Sequence, residues 1–161
     1  MASRIVSLKV NGQNEEFIVG ALTSLQDILR DTLNYTSVKE GCRQGGCGSC
    51  SVIIDGELRL SCLTPVQEVD GSEVTTLEGL NQSNSIAALQ QQFIDKYAAQ
   101  CGFCTPGMMV AIQALLDRNP NPSRDEITEG LAGNICRCTG YLPIIKAVEG
   151  VVAKMSGASG D

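Results

Sequence analysis

The sequence has no histidine, no tryptophan, and only 3 Tyr and 3 Phe among 161 residues. Without histidine there is no Ser-His-Asp or Cys-His machinery, no Cys₂His₂ zinc finger, no Rieske centre and no His-ligated haem. With so few aromatics, the cores must be built from Leu, Ile, Val, Ala and Met. Two small cores of that kind are marginal and need staples. There is no basic stripe with interleaved aromatics, and a net charge of −6 argues against nucleic acid as a partner. No apolar run approaches the roughly 20 residues of a membrane helix. Residues 1–10 contain neither the apolar region of a signal peptide nor a twin-arginine pair, so a cytoplasmic location is expected.

What the sequence does have is 8 cysteines. An even count would suit a disulfide scaffold in a secreted protein, but in a reducing compartment it points to metal or redox use. The cysteines form two sets, Cys42, Cys47, Cys50, Cys62 and then Cys101, Cys104, Cys136, Cys138.

The style of the sequence changes between the sets. Residues 4–10 alternate and lead into Asn11-Gly12, a hairpin signal, with 16–19 as the returning strand. Ser24 is placed to cap a helix over 25–33. Residues 51–54 and 58–60 flank Asp55-Gly56, a second hairpin, and 73–77 is a last strand. Beyond a Gly/Asn/Gln/Ser cluster the apolar spacing becomes helical. Ile86, Leu89, Phe93 and Tyr97 form one stripe, with a cap expected within 83–85. Thr105-Pro106 reads as an N-cap and first helical residue before a helix ended by Asn119-Pro120-Asn121-Pro122. Ser123-Arg124-Asp125-Glu126 is a capping box, followed by Ile127, Leu131 and Ile135 on one face. A fourth helix is expected over about 141–155, with Leu142, Ile145, Val148 and Val152 inward. The expected organisation is a strand-rich unit over 1–78, a linker over 79–85, four packed helices over 86–156 and a tail over 157–161.

Cys42-x₄-Cys47-x₂-Cys50 with Cys62 further on is the plant-type ferredoxin spacing for a 2Fe–2S cluster. Zinc more often takes Cys-x₂-Cys pairs. The glycines of the 41–50 loop let the backbone turn tightly and aim N–H groups at sulfur. Arg43 is either a solvated charge or an offset to the anionic cluster. The second set, Cys-x₂-Cys and Cys-x-Cys, fits either zinc or iron–sulfur by spacing. Cys104 and Cys138 are expected directly before helix N-termini, whose partial positive charge favours an anionic cluster. Cys104-Thr105-Pro106-Gly107 and Cys138-Thr139-Gly140-Tyr141 form a weak repeat, which suggests a pseudo-twofold with the four thiols at its axis.

Three strings occur together and in order: Gly-Cys-x-x-Gly-x-Cys-Gly at 41–48, Gln-Cys-Gly-Phe-Cys-Thr-Pro-Gly at 100–107 and Gly-Asn-Ile-Cys-Arg-Cys-Thr-Gly-Tyr at 133–141. Over about residues 4–153 the chain resembles the small iron–sulfur subunits of the xanthine oxidase family of molybdenum hydroxylases. The resemblance implies an α+β chain, a β-grasp plant-type ferredoxin domain followed by an all-α four-helix bundle, with one 2Fe–2S cluster in each. It implies that all eight cysteines are ligands and that Gln100 and Cys138 also touch the molybdopterin cofactor of a large subunit. It further implies a medium FAD-binding partner, a dimer of heterotrimers, and electrons passing from molybdenum through both clusters to FAD or another acceptor. The chain would be the iron–sulfur part of an oxidoreductase, with no substrate-converting residues of its own. Ser49 stands where many relatives have alanine, its hydroxyl being either simply solvated or a donor toward a cluster sulfur, and Gly46 stands where bacterial relatives often have glutamate. The alternatives are a free two-cluster ferredoxin-like carrier and a zinc-stapled interaction module.

Overall fold

A computed structural model describes residues 3–81 and 84–157, without the side chains of residues 84 and 85. Ser83, half of the expected cap, lies outside the described residues, as do 158–161 of the expected tail.

Strands β1 (Arg4–Val10) and β2 (Gln13–Val19) pair antiparallel. Asn11 and Gly12, both at positive φ, form the two-residue turn between them. Because Val10 pairs with Gln13, β2 starts three residues before the expected strand. Strands β3 (Ser51–Ile54) and β4 (Glu57–Leu60) repeat the device around Asp55 and Gly56. β5 (Glu73–Thr75) lies parallel to β1 and antiparallel to β3, which completes a mixed sheet in the order β2-β1-β5-β3-β4. The last strand stops at Thr75 rather than 77, because a short helical turn already opens at Leu77.

Helix α1 (Leu25–Asp27) starts on the expected Ser24 cap, with Asp27 returning the bond to the Ser24 N–H. It then widens into a π-helical turn over Ile28–Thr32, closed by Leu33 N–H to the Ile28 carbonyl at 3.0 Å. Leu25, Ile28 and Leu29 pack with Val6, Leu8, Val10, Val52, Ile54 and Val74 in the core of the sheet half.

The second half is helical: α2 (Leu77–Leu80), α3 (Asn84–Asp95), α4 (Thr105–Arg118), α5 (Arg124–Gly130) and α6 (Leu142–Gly157). The last four pack in a ring, α3 on α4 and α6, and α5 on α4 and α6. Helix α4 is buried all round from Gly107 to Leu116, including Met108 and Met109. One side of it meets the other helices, and the other side meets β3 and β4. Strand β3 is accordingly buried on both faces. Val52 and Ile54 belong to the sheet core, while Ile53 belongs to the helical core. The halves are therefore packed face to face. Gly107 permits this, since a Cβ there would stand 2.5 Å from the Gly48 carbonyl oxygen.

Several expectations are corrected. The N-cap of α4 is Cys104, so Thr105 and Pro106 both lie inside the helix. Helix α5 ends at Gly130, which leaves Ile135 beyond it and exposed, although Ile127 and Leu131 are buried. On α6 the buried stripe is Ile144, Ala147, Val148, Val151 and Val152, and Leu142 is exposed. Tyr97 lies past the end of α3, at positive φ and exposed. Among the described residues no helix is long and apolar enough to cross a membrane.

Candidate metal centres

Both cysteine sets lie on irregular backbone that regular elements hold in place. Cys50 directly precedes β3, and Cys62 sits in a 3-10 turn (Ser61–Leu63) directly after β4. The Ser51–Leu60 pairing at the open end of that hairpin sets the two side by side. Ser61 fixes them through its hydroxyl, which donates to the Cys50 carbonyl at 2.8 Å. The rest of the set lies on the loop between the π turn and β3. The N–H groups of Gly46 and Gln44 point at Cys42 Sγ, at 3.3 and 3.5 Å. A Cβ on Gly41 would come within 2.7 Å of Cys47 Sγ, so only glycine leaves that sulfur room. Arg43, at positive φ, pairs with Glu40 and with the Asp27 carboxylate of the α1 capping box. Its charge is already matched by two carboxylates, and the pairing ties the loop to the helix.

In the second set, Cys101 lies on the turn before α4 and Cys104 caps that helix. Cys136 and Cys138 lie on the segment between α5 and α6. Cys138 stands four residues before α6, so the expectation that it directly precedes a helix holds for Cys104 alone. Other groups orient this segment. The Thr139 hydroxyl donates to Cys136 Sγ at 3.1 Å, and the Cys136 N–H donates to the Tyr141 hydroxyl at 2.9 Å.

The thiols form pairs. Cys42 neighbours Cys47, and Cys62 neighbours Cys50. Cys104 neighbours Cys136, and Cys101 and Cys138 stand 3.5 Å apart. All eight are free thiols, and among the described residues no three His, Cys, Asp or Glu close on a single-ion position. Two pairs per set is the donor arrangement that suits two metal ions sharing four thiolates. Backbone N–H groups aimed at sulfur suit an anionic group. The residues present therefore fit a 2Fe–2S cluster in each set.

The electrostatics divide the thiols by their surroundings. The Gln44 N–H, aided by Cys47, lowers Cys42 to about 7. Burial, then the neighbouring Cys50, pushes Cys62 up to about 11. Burial and Cys136 push Cys104 up to about 12. Burial works against ionisation of Cys136, but the Thr139 hydroxyl, the Thr139 and Cys138 N–H groups and Cys104 together outweigh it and lower its pKa. Without metal Cys62 and Cys104 stay protonated, so occupation by a cation expels their protons.

The two sets share a cavity of about 240 Å³, lined among others by Cys42, Cys47, Cys101, Cys104, Cys136 and Cys138. Ser49 also lines it and is buried. Gln100 is exposed on the turn beside Cys101, and Cys138 is exposed with it. Sequence reasoning identified the cysteines but passed over Asn134, Thr139 and Tyr141, which hold them. The clue available was their place within the 133–141 string.

Comparison with known proteins agrees with this geometry. The family described as "2Fe-2S iron-sulfur cluster binding domain" matches residues 2–95, and that described as "2Fe-2S binding domain" matches 76–149. The nicotinate dehydrogenase small FeS subunit of Eubacterium barkeri is 42% identical over 149 residues, covering 92% of this chain and 95% of its own. The nicotine 6-hydroxylase small subunit of Paenarthrobacter nicotinovorans is 41% identical over 143 residues, covering 89% and 86%. Among solved structures, quinoline 2-oxidoreductase from Pseudomonas putida 86 superposes with a TM-score of 0.87 at 43% identity, covering 96% of this chain and 98% of that one. The aldehyde oxidoreductase of Desulfovibrio desulfuricans gives 0.87 at 42% identity over 95% of this chain, which is 17% of that longer one. Paired thiols on two linked loops, two matched cluster-binding families and relatives of comparable length lead to one conclusion: the chain belongs to the small iron–sulfur subunits of the molybdenum hydroxylase family.

Proposed function

We propose that this chain is the electron-transfer subunit of a molybdenum hydroxylase complex and carries two 2Fe–2S clusters. Cys42, Cys47, Cys50 and Cys62 would hold one in a β-grasp domain over 1–78. Cys101, Cys104, Cys136 and Cys138 would hold the other in a four-helix bundle over 86–156, after a linker over 79–85 and before a tail over 157–161. When bound, such a cluster accepts and releases one electron. The chain's own part is to hold the thiolates, donate N–H groups to sulfur and keep the two loops adjacent. The observation that carries the reading is this adjacency, with both sets lining one cavity.

The donor in this reading is the molybdopterin cofactor of a large subunit, faced by Gln100 and Cys138, which are exposed together. The acceptor is the FAD of a medium subunit or another carrier, and the assembly is a dimer of heterotrimers. The names of the relatives support partners, since several are themselves named as subunits. Eight free thiols suit the reducing cytoplasm. Iron and sulfide analysis of the purified complex should give about two iron atoms per site. Electron paramagnetic resonance should show two distinct 2Fe–2S signals after reduction. A colourless zinc protein would overturn the reading, and a loaded chain that purifies as a lone monomer would favour a free carrier.

A further inference from the structure

The two cysteine loops are joined by a lock built around Asn134. This residue lies two before Cys136 and is 4% exposed. Its Nδ2 donates to the Gly48 carbonyl at 2.9 Å and to Ser51 Oγ at 3.3 Å. The Ser51 hydroxyl and N–H donate to the same carbonyl, at 2.7 and 3.1 Å. Beside this node the Ile135 N–H donates to the Cys47 carbonyl at 2.9 Å. The backbones meet without clearance. A Cβ on Gly48, at φ +69, would stand 2.5 Å from the Gly133 oxygen and 2.7 Å from the Asn134 amide. Gly107 of α4 also closes on the same Gly48 carbonyl. A buried amide is costly to leave half-satisfied, so its bonds constrain the segments they join.

We infer that Asn134 is a positioning residue for electron exchange between the two cysteine sites. It sets how far the 42–50 loop stands from the 136–138 segment. The inference rests on the two-cluster reading above. The exchange moves one electron, so one site is oxidised by one and the other reduced by one, and no proton is transferred. Its rate falls steeply with separation, so a residue that ligates neither metal can govern it.

The test uses the full chain loaded with iron and sulfide and reduced with dithionite. The wild type should show signals split by magnetic coupling between the two reduced sites. Asn134→Ala should keep its iron and lose that splitting. Electron equilibration between the sites should slow about 10-fold, as for other partners outside the first ligand shell. Gly107→Ala leaves Asn134 intact but presses on the Gly48 carbonyl, and it should reduce the splitting too. Wild-type splitting and equilibration in a fully loaded Asn134→Ala chain overturn the inference. If that variant does not load, Gly107→Ala decides in its place. If neither loads, the lock serves assembly rather than spacing, and the inference falls. A wild-type chain that lacks iron in one site instead refutes the two-cluster reading itself.

Discussion

Glu78 shows how much one side chain outside the cysteine loops can hold. Its carboxylate accepts the Ser37 N–H at 2.9 Å, the Ser37 hydroxyl and the Thr76 hydroxyl at 2.6 Å. Thr76 in turn receives the Asn11 amide at 3.0 Å and donates its N–H to Asn11 Oδ1 at 2.9 Å. One carboxylate thus links the first hairpin turn, the start of α2 and the segment leading to the cysteine loop. Burial raises the pKa of Glu78, but the Ser37 and Thr76 bonds outweigh it, and the net value lies below the ordinary 4.5. A depressed folded-state pKa contributes stability that is fully present above the unfolded value. That stability is lost as pH falls through the folded value, which places the window below about 4.5. Glu78→Gln should cost about 1 kcal/mol at pH 7, a hydrogen-bond estimate at the low end because the group is partly exposed. Urea melts of both loaded proteins across pH 3 to 7 check this. The gap between them should close toward the acid end, and a gap independent of pH would show that the charge plays no part.

At the scale of elements, α5 offers the sharpest test. It has only seven residues, too few to persist without help. Its help is the capping box, in which the Ser123 hydroxyl accepts the Glu126 N–H at 3.3 Å and Glu126 accepts the Ser123 N–H at 2.7 Å. Ser123→Ala should cost about 1 kcal/mol and lower the melting temperature of the loaded chain. An unchanged melting curve would mean that tertiary packing of Ile127 and Leu131 suffices. This box was legible in the sequence, as were both hairpin turns and the Ser24 cap, because each is a signal spanning four residues or fewer. The ferredoxin-type spacing was legible because three of its four cysteines share one loop. What could not be read depends on contacts between distant segments. The burial of Ile53 against the helices requires knowing that α4 crosses β3, and the Asn134 bond to Gly48 spans 86 positions. Cys138 was misplaced relative to α6 because Gly140 and Tyr141, both at positive φ, turn the chain before the helix starts.

The whole molecule has two hydrophobic cores that share one strand. β3 contributes Val52 and Ile54 to one and Ile53 to the other, and the cysteine loops lie along the same seam. Few regular backbone bonds stabilise those loops, since 39–50 and 131–141 contain no helix or strand. Their conformation is held by a few cross-links, such as Ile135 N–H to the Cys47 carbonyl. On the two-cluster reading, bound metal would act as a staple where the two cores meet, and its binding free energy would become folding free energy for both. Iron removal from the reduced, loaded chain by a strong chelator should then do more than free two loops. It should lower the melting temperature of sheet and helices together, in a single transition followed by far-ultraviolet circular dichroism. A helical half that still melts at its loaded temperature after iron removal would show that the staple serves only the sheet half. Two separate transitions in the loaded chain would show that shared burial of β3 does not couple the cores.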